Sequence, residues 1–221
     1  MDGTHPEAVP GRLAGRVAVV TGVSGFAGEA GAAVARRFAA EGARVVCADP
    51  DERAGQAVAR SVGGLFVHTD PLDESMVEAL FDEAYETLGG VDTVVNGPCG
   101  APPADGPVLD VPPDAWRVVQ DTRLTAVFLC CRAALPYLRR HGHGSVVSLA
   151  GPAAEGGVAA AVAAAGVAEL TRVLAGQFGP EGIRFNALGG GGDATRLAAA
   201  AAYLASDDAA GVNGTLIRFS P

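Results

Sequence analysis

Lysine is absent from this chain of 221 residues, and all sixteen of its basic side chains are arginine. Any chemistry that requires a lysine ammonium is thereby excluded. Aromatic residues are scarce at 5%, so a core must be built from small side chains, chiefly Ala, Val and Gly. Such a core suits close helix-on-sheet packing, and 49% apolar residues supply enough of it. Positive charge is also short: the formal net charge of −9 argues against nucleic acid or an anionic membrane as partner. No apolar run reads as long enough to span a bilayer. Cysteine is limited to Cys47, Cys99, Cys130 and Cys131, which show no metal spacing. Cys130 and Cys131 are adjacent, which disfavours a disulfide between them. Buried, reduced thiols in a cytoplasmic protein are expected, with no metal. The length fits one domain, 13–221, behind a polar, proline-containing leader, 1–12, that lacks the pattern of a signal peptide.

Strand and helix patterns alternate along the chain. Val17–Val20 is a continuous apolar run, as expected of a strand buried on both faces. Further strands are expected at Arg44–Ala48, Leu65–Val67, Thr93–Val95, Ser145–Leu149, Ile183–Leu188 and Thr215–Phe219. Helices are expected between them, at Asp51–Val62, Asp73–Leu88, Asp114–Arg140, Val158–Phe178 and Thr195–Ala205, after a first one through Ala30 and Phe38. Right-handed crossovers then give an α/β fold, a single-domain doubly wound parallel sheet with its ligand crevice at the carboxyl ends of the strands.

Thr21-Gly22-Val23-Ser24-Gly25-Phe26-Ala27-Gly28 lies between the first strand and the first helix. Gly22 permits a tight turn, Gly25 lets backbone approach a pyrophosphate, and Gly28 lets helix and sheet pack closely. The helix start offers free N–H groups to phosphates. Asp49 ends the second strand, where a carboxylate accepts from an adenosine ribose and repels a 2′-phosphate. The pattern implies NAD over NADP. The alternative is a glycine turn kept only for packing.

With these residues the chain resembles the short-chain dehydrogenase/reductase family over nearly its whole length. Asp92-Thr93-Val94-Val95-Asn96 looks like the strand that leads into the family's Asn-Asn-Ala-Gly motif. Leu170-Thr171-Arg172, Gly179-Pro180-Glu181-Gly182-Ile183-Arg184-Phe185-Asn186, Tyr203-Leu204-Ala205-Ser206 and Val212-Asn213-Gly214 resemble its later stretches. The resemblance implies a Rossmann sheet in the order 3-2-1-4-5-6-7. It also implies a dinucleotide set of Thr21, Gly22, Ser24, Gly25, Phe26, Gly28, Asp49, Asp70, Asn96 and Thr195. Phe26 stands where compact members carry a glycine. Family members commonly pair the helices corresponding to 114–140 and 158–178, so a homodimer or homotetramer is expected.

The family's catalytic residues do not follow. Counting back from Leu170-Thr171-Arg172 puts Ala160 at the family's tyrosine and Ala164 at its lysine. The serine position falls at Ala150 or Gly151, and Arg123 occupies the asparagine position. The substrate-covering segment after the sixth strand is nearly absent, which predicts an open crevice. Cys99, Arg123, Ser148, Glu155 and Asp193 remain as candidate polar groups near the strand ends. His141 and His143 close a helix, where contact with its dipole is expected. Three functions stay open. One is a non-redox or noncanonical enzyme of a specialised bacterial pathway in a GC-rich genome, with a retained NAD(H) site. The others are a catalytically inactive dinucleotide-binding or partner subunit, and an NAD-dependent oxidoreductase with substitute groups.

Overall fold

A computed structural model describes residues 11–24, 28–97, 105–151, 157–190 and 193–219. Gly25, Phe26, Cys99, Glu155 and the leader through residue 10 lie outside the described residues. The strands are β1 (Val17–Thr21), β2 (Arg44–Asp49), β3 (Leu65–His68), β4 (Thr93–Asn96), β5 (Gly144–Gly151), β6 (Ile183–Gly190) and β7 (Leu216–Phe219). They form one sheet in the order β3-β2-β1-β4-β5-β6-β7, with every neighbouring pair parallel. The helices are α1 (Gly28–Ala40), α2 (Glu52–Val62), α3 (Glu74–Leu88), α4 (Pro113–Gln120), α5 (Ala126–His141), α6 (Val158–Phe178) and α7 (Ala194–Ala205).

Alternation along each buried strand feeds two cores. Val20 faces Phe38, Leu188, Ala201 and Leu204, under α1 and α7. Its neighbour Val19 faces the opposite layer, with Leu80, Phe81, Leu138, Val167 and Phe185 under α3, α5 and α6. Continuous apolar strands are required for that arrangement, since neither face meets water.

Several expected boundaries move for identifiable reasons. Asp51 and Asp73 stand before their helices as caps, accepting backbone N–H groups of Ala54, and of Ser75 and Met76, that the first turn leaves unpaired. Gly11 and Arg12, counted with the leader in the sequence, lie against the end of α1. Arg12 N donates to Glu41 Oε2 at 3.1 Å, and a Cβ on Gly11 would lie 2.2 Å from the Glu41 carbonyl oxygen. The helix expected over 114–140 is α4 and α5 joined through one π-helical stretch, Asp121–Thr125. Such wide turns mark functional sites often enough to direct attention there. The stretch 158–181 reaches the length and mean hydropathy, 1.6, of a spanning helix, contrary to the reading of the sequence. One side of α6 is nonetheless core: Ala159, Ala160, Ala163, Ala164, Val167, Thr171 and Ala175 are buried.

Candidate functional site

The carboxyl ends of β1, β2 and β4 converge on the glycine turn. Gly22 takes φ +65°, a left-handed backbone that favours glycine. Gly97 N donates to Thr21 Oγ1 at 3.2 Å, and a Cβ on Gly97 would lie 2.4 Å from the Thr21 carbonyl oxygen. The contact accounts for a glycine after Asn96. Among the described residues, helix and turn approach closely at Gly31: a Cβ there would lie 2.2 Å from the Gly22 carbonyl oxygen. Its signal in the sequence was a further glycine one helical turn after Gly28.

Asp49 is buried and serves the turn directly. It accepts from Ser24 N at 2.7 Å, from Ser24 Oγ at 2.6 Å and from Asp51 N at 2.9 Å. A carboxylate offers roughly four acceptor sites, so about one is left for a ribose hydroxyl. Asp70 is exposed at the end of β3, and its Oδ1 accepts from Leu72 N at 2.9 Å. Thr195 is exposed at the start of α7. Asn96 lies differently from expectation. Its side chain is fully buried, and Nδ2 donates to Ser148 Oγ at 3.2 Å and to Cys131 Sγ at 3.4 Å. It therefore ties β4 to β5 and α5 instead of facing a ligand. Among the described residues its Oδ1 has no hydrogen-bond partner.

The candidate catalytic groups sort themselves by the same contacts. Ser148 is buried in mid-strand as the acceptor from Asn96, so it does not reach the crevice. Asp193 caps α7, accepting from Thr195 N at 2.9 Å. That bond holds its carboxyl below the usual range, as a structural cap. Burial pushes the Cys131 thiol up to about 12, which removes it as a thiolate. Burial and the Asp82 carboxylate push Tyr137, on α5, up to about 12 as well, so it offers no substitute base.

Ala160 and Ala164 are buried. Ala160 packs with Val119, Ala159 and Ala163, with Trp116 and Leu124 alongside. Asp105 and Gly106 lie on the first turn of α6, whose N-cap, Gly157, has no side chain to bind the free N–H groups. Asp105 accepts from Ala159 N at 3.2 Å and from Ala160 N at 2.8 Å. A carboxylate at a helix's positive end is favoured electrostatically. Nothing in the local sequence linked positions 105 and 160.

Arg123 projects from the π-helical stretch toward Gly151. Its Nη1 would stand 3.2 Å from a Cβ at that position. It is half-buried, and among the described residues it makes no hydrogen bond or ion pair. Gly151 also borders a small cavity of about 40 Å³ with Ala161, Ala164, Gly189, Gly190 and Arg218. The Arg123 guanidinium thus stands beside Gly151 and this cavity.

The family model described as enoyl-(acyl carrier protein) reductase matches residues 25–197. The chain belongs to the short-chain dehydrogenase/reductase family. It is 35% identical over 240 residues to a meso-2,3-butanediol dehydrogenase of Serratia marcescens, covering 93% of each chain. It is 41% identical over 197 residues to a cis-4-hydroxycyclohexanecarboxylate dehydrogenase of Sinomonas cyclohexanicum, covering 85% of this chain and 77% of that one. The crystal structure of a short chain dehydrogenase from Mycobacterium smegmatis superposes with TM-score 0.86 at 30% identity, covering 98% of this chain and 97% of that one. The alignment to the Serratia enzyme, 240 positions, exceeds the 221 residues of this chain, so that relative carries residues missing here. Family membership implies a nicotinamide dinucleotide, and the described residues fit one. The left-handed Gly22 turn, the buried carboxylate of Asp49 and the exposed Asp70 stand at the required strand ends.

The close approach at Gly31 is open to test. In Gly31→Ala the new methyl meets the Gly22 carbonyl oxygen, and α1 must shift. Urea denaturation should register a loss of about 1–3 kcal/mol, and NADH binding should weaken with it. Unchanged stability and binding would show that the turn tolerates the shift.

Proposed function

We propose that this chain is an NAD-binding member of its family with altered, non-redox chemistry, in which Arg123 holds and polarises an oxyanion-bearing substrate. The observation that carries this reading is the half-buried Arg123 guanidinium, directed at Gly151 and free of partners among the described residues. An unpaired charge is costly to desolvate unless an anion comes to meet it. A guanidinium stays protonated, so it stabilises developing negative charge but neither gives nor takes a proton. Its planar fork suits a carboxylate. A relative at 41% identity is named for a hydroxycyclohexanecarboxylate, which is consistent with that substrate class. A dinucleotide bound at Gly22 and Asp49 supplies hydride chemistry in the family. Here Ala160 and Ala164 furnish no acid to accompany it. Isomerisation, dehydration or cyclisation through an oxyanion held at Arg123 would exchange its protons with solvent water or with groups of the substrate itself.

A second reading is a catalytically inactive dinucleotide-binding or partner subunit. It is favoured by the packing of Ala160 among Val119 and Ala163, beneath the Asp105 clamp. Cytoplasmic residence suits both readings, and the buried thiols of Cys47 and Cys131 support it.

Preference for NAD rests on Asp49. Asp49→Ala should weaken NAD(H) about tenfold or more, since a hydrogen bond to a charged group contributes about 1.5–3 kcal/mol. NADP(H) should lose less, as read by calorimetric titration. Equal loss of both would assign Asp49 to the turn alone.

With NADH, simple ketones should turn over roughly 10²–10⁴-fold more slowly than in relatives with positioned acid–base groups. Ordinary family rates in the wild type would defeat the proposed chemistry. Ala160→Tyr with Ala164→Lys should cost about 1–3 kcal/mol through overpacking. A gain in ketone reduction by the folded double variant favours the altered enzyme. A folded variant with no gain favours the inactive subunit.

The proposal includes a homodimer or homotetramer through α4–α5 and α6. Val118, Phe128, Val162 and Val173 support it, as apolar side chains exposed on those helices. Two-fold pairing of one helix face with itself would cover them. Light scattering should give a dimer or larger at micromolar concentration, and Phe128→Glu should shift it toward monomer. A wild-type monomer would exclude the assembly.

A further inference from the structure

At the amino-terminal ends of β4 and β5, opposite the dinucleotide crevice, three potential ligands meet that are far apart in the chain. One carboxylate oxygen of Asp92 and one ring nitrogen each of His141 and His143 all lie within 4.8 Å of one another. We propose that these residues form a binding site for a divalent transition metal, with zinc as the representative ion. Two imidazoles and one carboxylate suit Zn²⁺, with water completing the shell.

The three positions are held in different ways, and together they favour a site over a chance encounter of exposed side chains. Asp92 is locked into the sheet. Its N donates to the Val17 carbonyl oxygen at 2.9 Å, its carbonyl oxygen accepts from Ser145 N at 3.0 Å, and Oδ2 accepts from Val17 N at 2.8 Å. The anchored Oδ2 leaves Oδ1 directed at His141, whose Nδ1 is 4.0 Å away. Gly142 ends α5 at φ +70°, and this turn sets the rings of His141 and His143 edge to face at 6.0 Å. A residue with a side chain resists that backbone conformation.

Gly90 decides which nitrogen of His141 is available. A Cβ there would lie 2.6 Å from His141 Nε2, so Nε2 packs against bare backbone. Nδ1 is the nitrogen left facing Asp92. On the other side, His143 borders an open cavity of about 510 Å³ with Arg16, Arg184 and Asp207, through which an ion and its waters would enter.

Bond lengths of about 2.0–2.2 Å place tetrahedral ligand atoms roughly 3.3 Å apart. The present spread closes by rotation of the two exposed rings toward the fixed carboxylate. A bound ion would join the end of α5 to the start of β4. It would thus act on fold stability, independently of any chemistry at Arg123.

The test uses the full chain, stripped with a chelator and titrated with Co²⁺ as spectroscopic probe. One equivalent should give visible d–d bands, which Zn²⁺ then abolishes by competition. His141→Ala, His143→Ala and Asp92→Asn should each weaken binding by about tenfold or more. Asn at 92 keeps an acceptor for Val17 N, and His143 is exposed, so folded variants are expected and circular dichroism checks them. The melting temperature of the wild type should rise with Zn²⁺, and that of His143→Ala should not. Three results would overturn the proposal: no d–d bands at one equivalent, a His143→Ala variant that binds as tightly as the wild type, or thiolate charge-transfer bands that place the metal on cysteine.

Discussion

The contact of α6 with β5 and β6 constrains everything around it. The buried side of that helix is largely alanine: Ala164 and Ala175 share a core with the sheet, while Ala159, Ala160 and Ala163 pack on α4. Two of these residues, Ala160 and Ala164, are the ones that counting back from Leu170-Thr171-Arg172 sets at the family's tyrosine and lysine positions. The Asp105 carboxylate binds the helix start from outside.

Charge has moved in the same region. A lysine-free chain cannot hold an ammonium below the crevice, but it carries a guanidinium beside it, at Arg123. The two differ in kind. An ammonium beside a tyrosine lowers that tyrosine's pKa and so serves proton transfer. A lone guanidinium serves charge stabilisation only. In the function proposed above, Arg123 would hold an anion without protonating it.

Asp49 fixes the turn through Ser24 and Asp51, and in the function proposed above its remaining acceptor capacity would serve a ribose. In that reading fold and ligand site share one buried carboxylate. Gly31 and Gly97 show a similar economy, since each is a glycine because backbone from another element occupies the space of its Cβ.

Strand periodicity, turn glycines and the count back from Leu170-Thr171-Arg172 were legible because they depend on neighbours within a few residues. Continuous apolar runs specify strands buried on both faces, and seven of them with helices between leave few topologies. The sheet order and the left-handed glycine at Gly22 were therefore determined by the sequence. Pairings across long separations were not. Asp105 with Ala160, Arg123 with Gly151, Asn96 with Ser148, and Asp92 with His141 and His143 all join different elements. Only the tertiary structure decided these. A polar side chain takes its partner from whatever the packed elements bring within about 3 Å, and no local pattern encodes that neighbour.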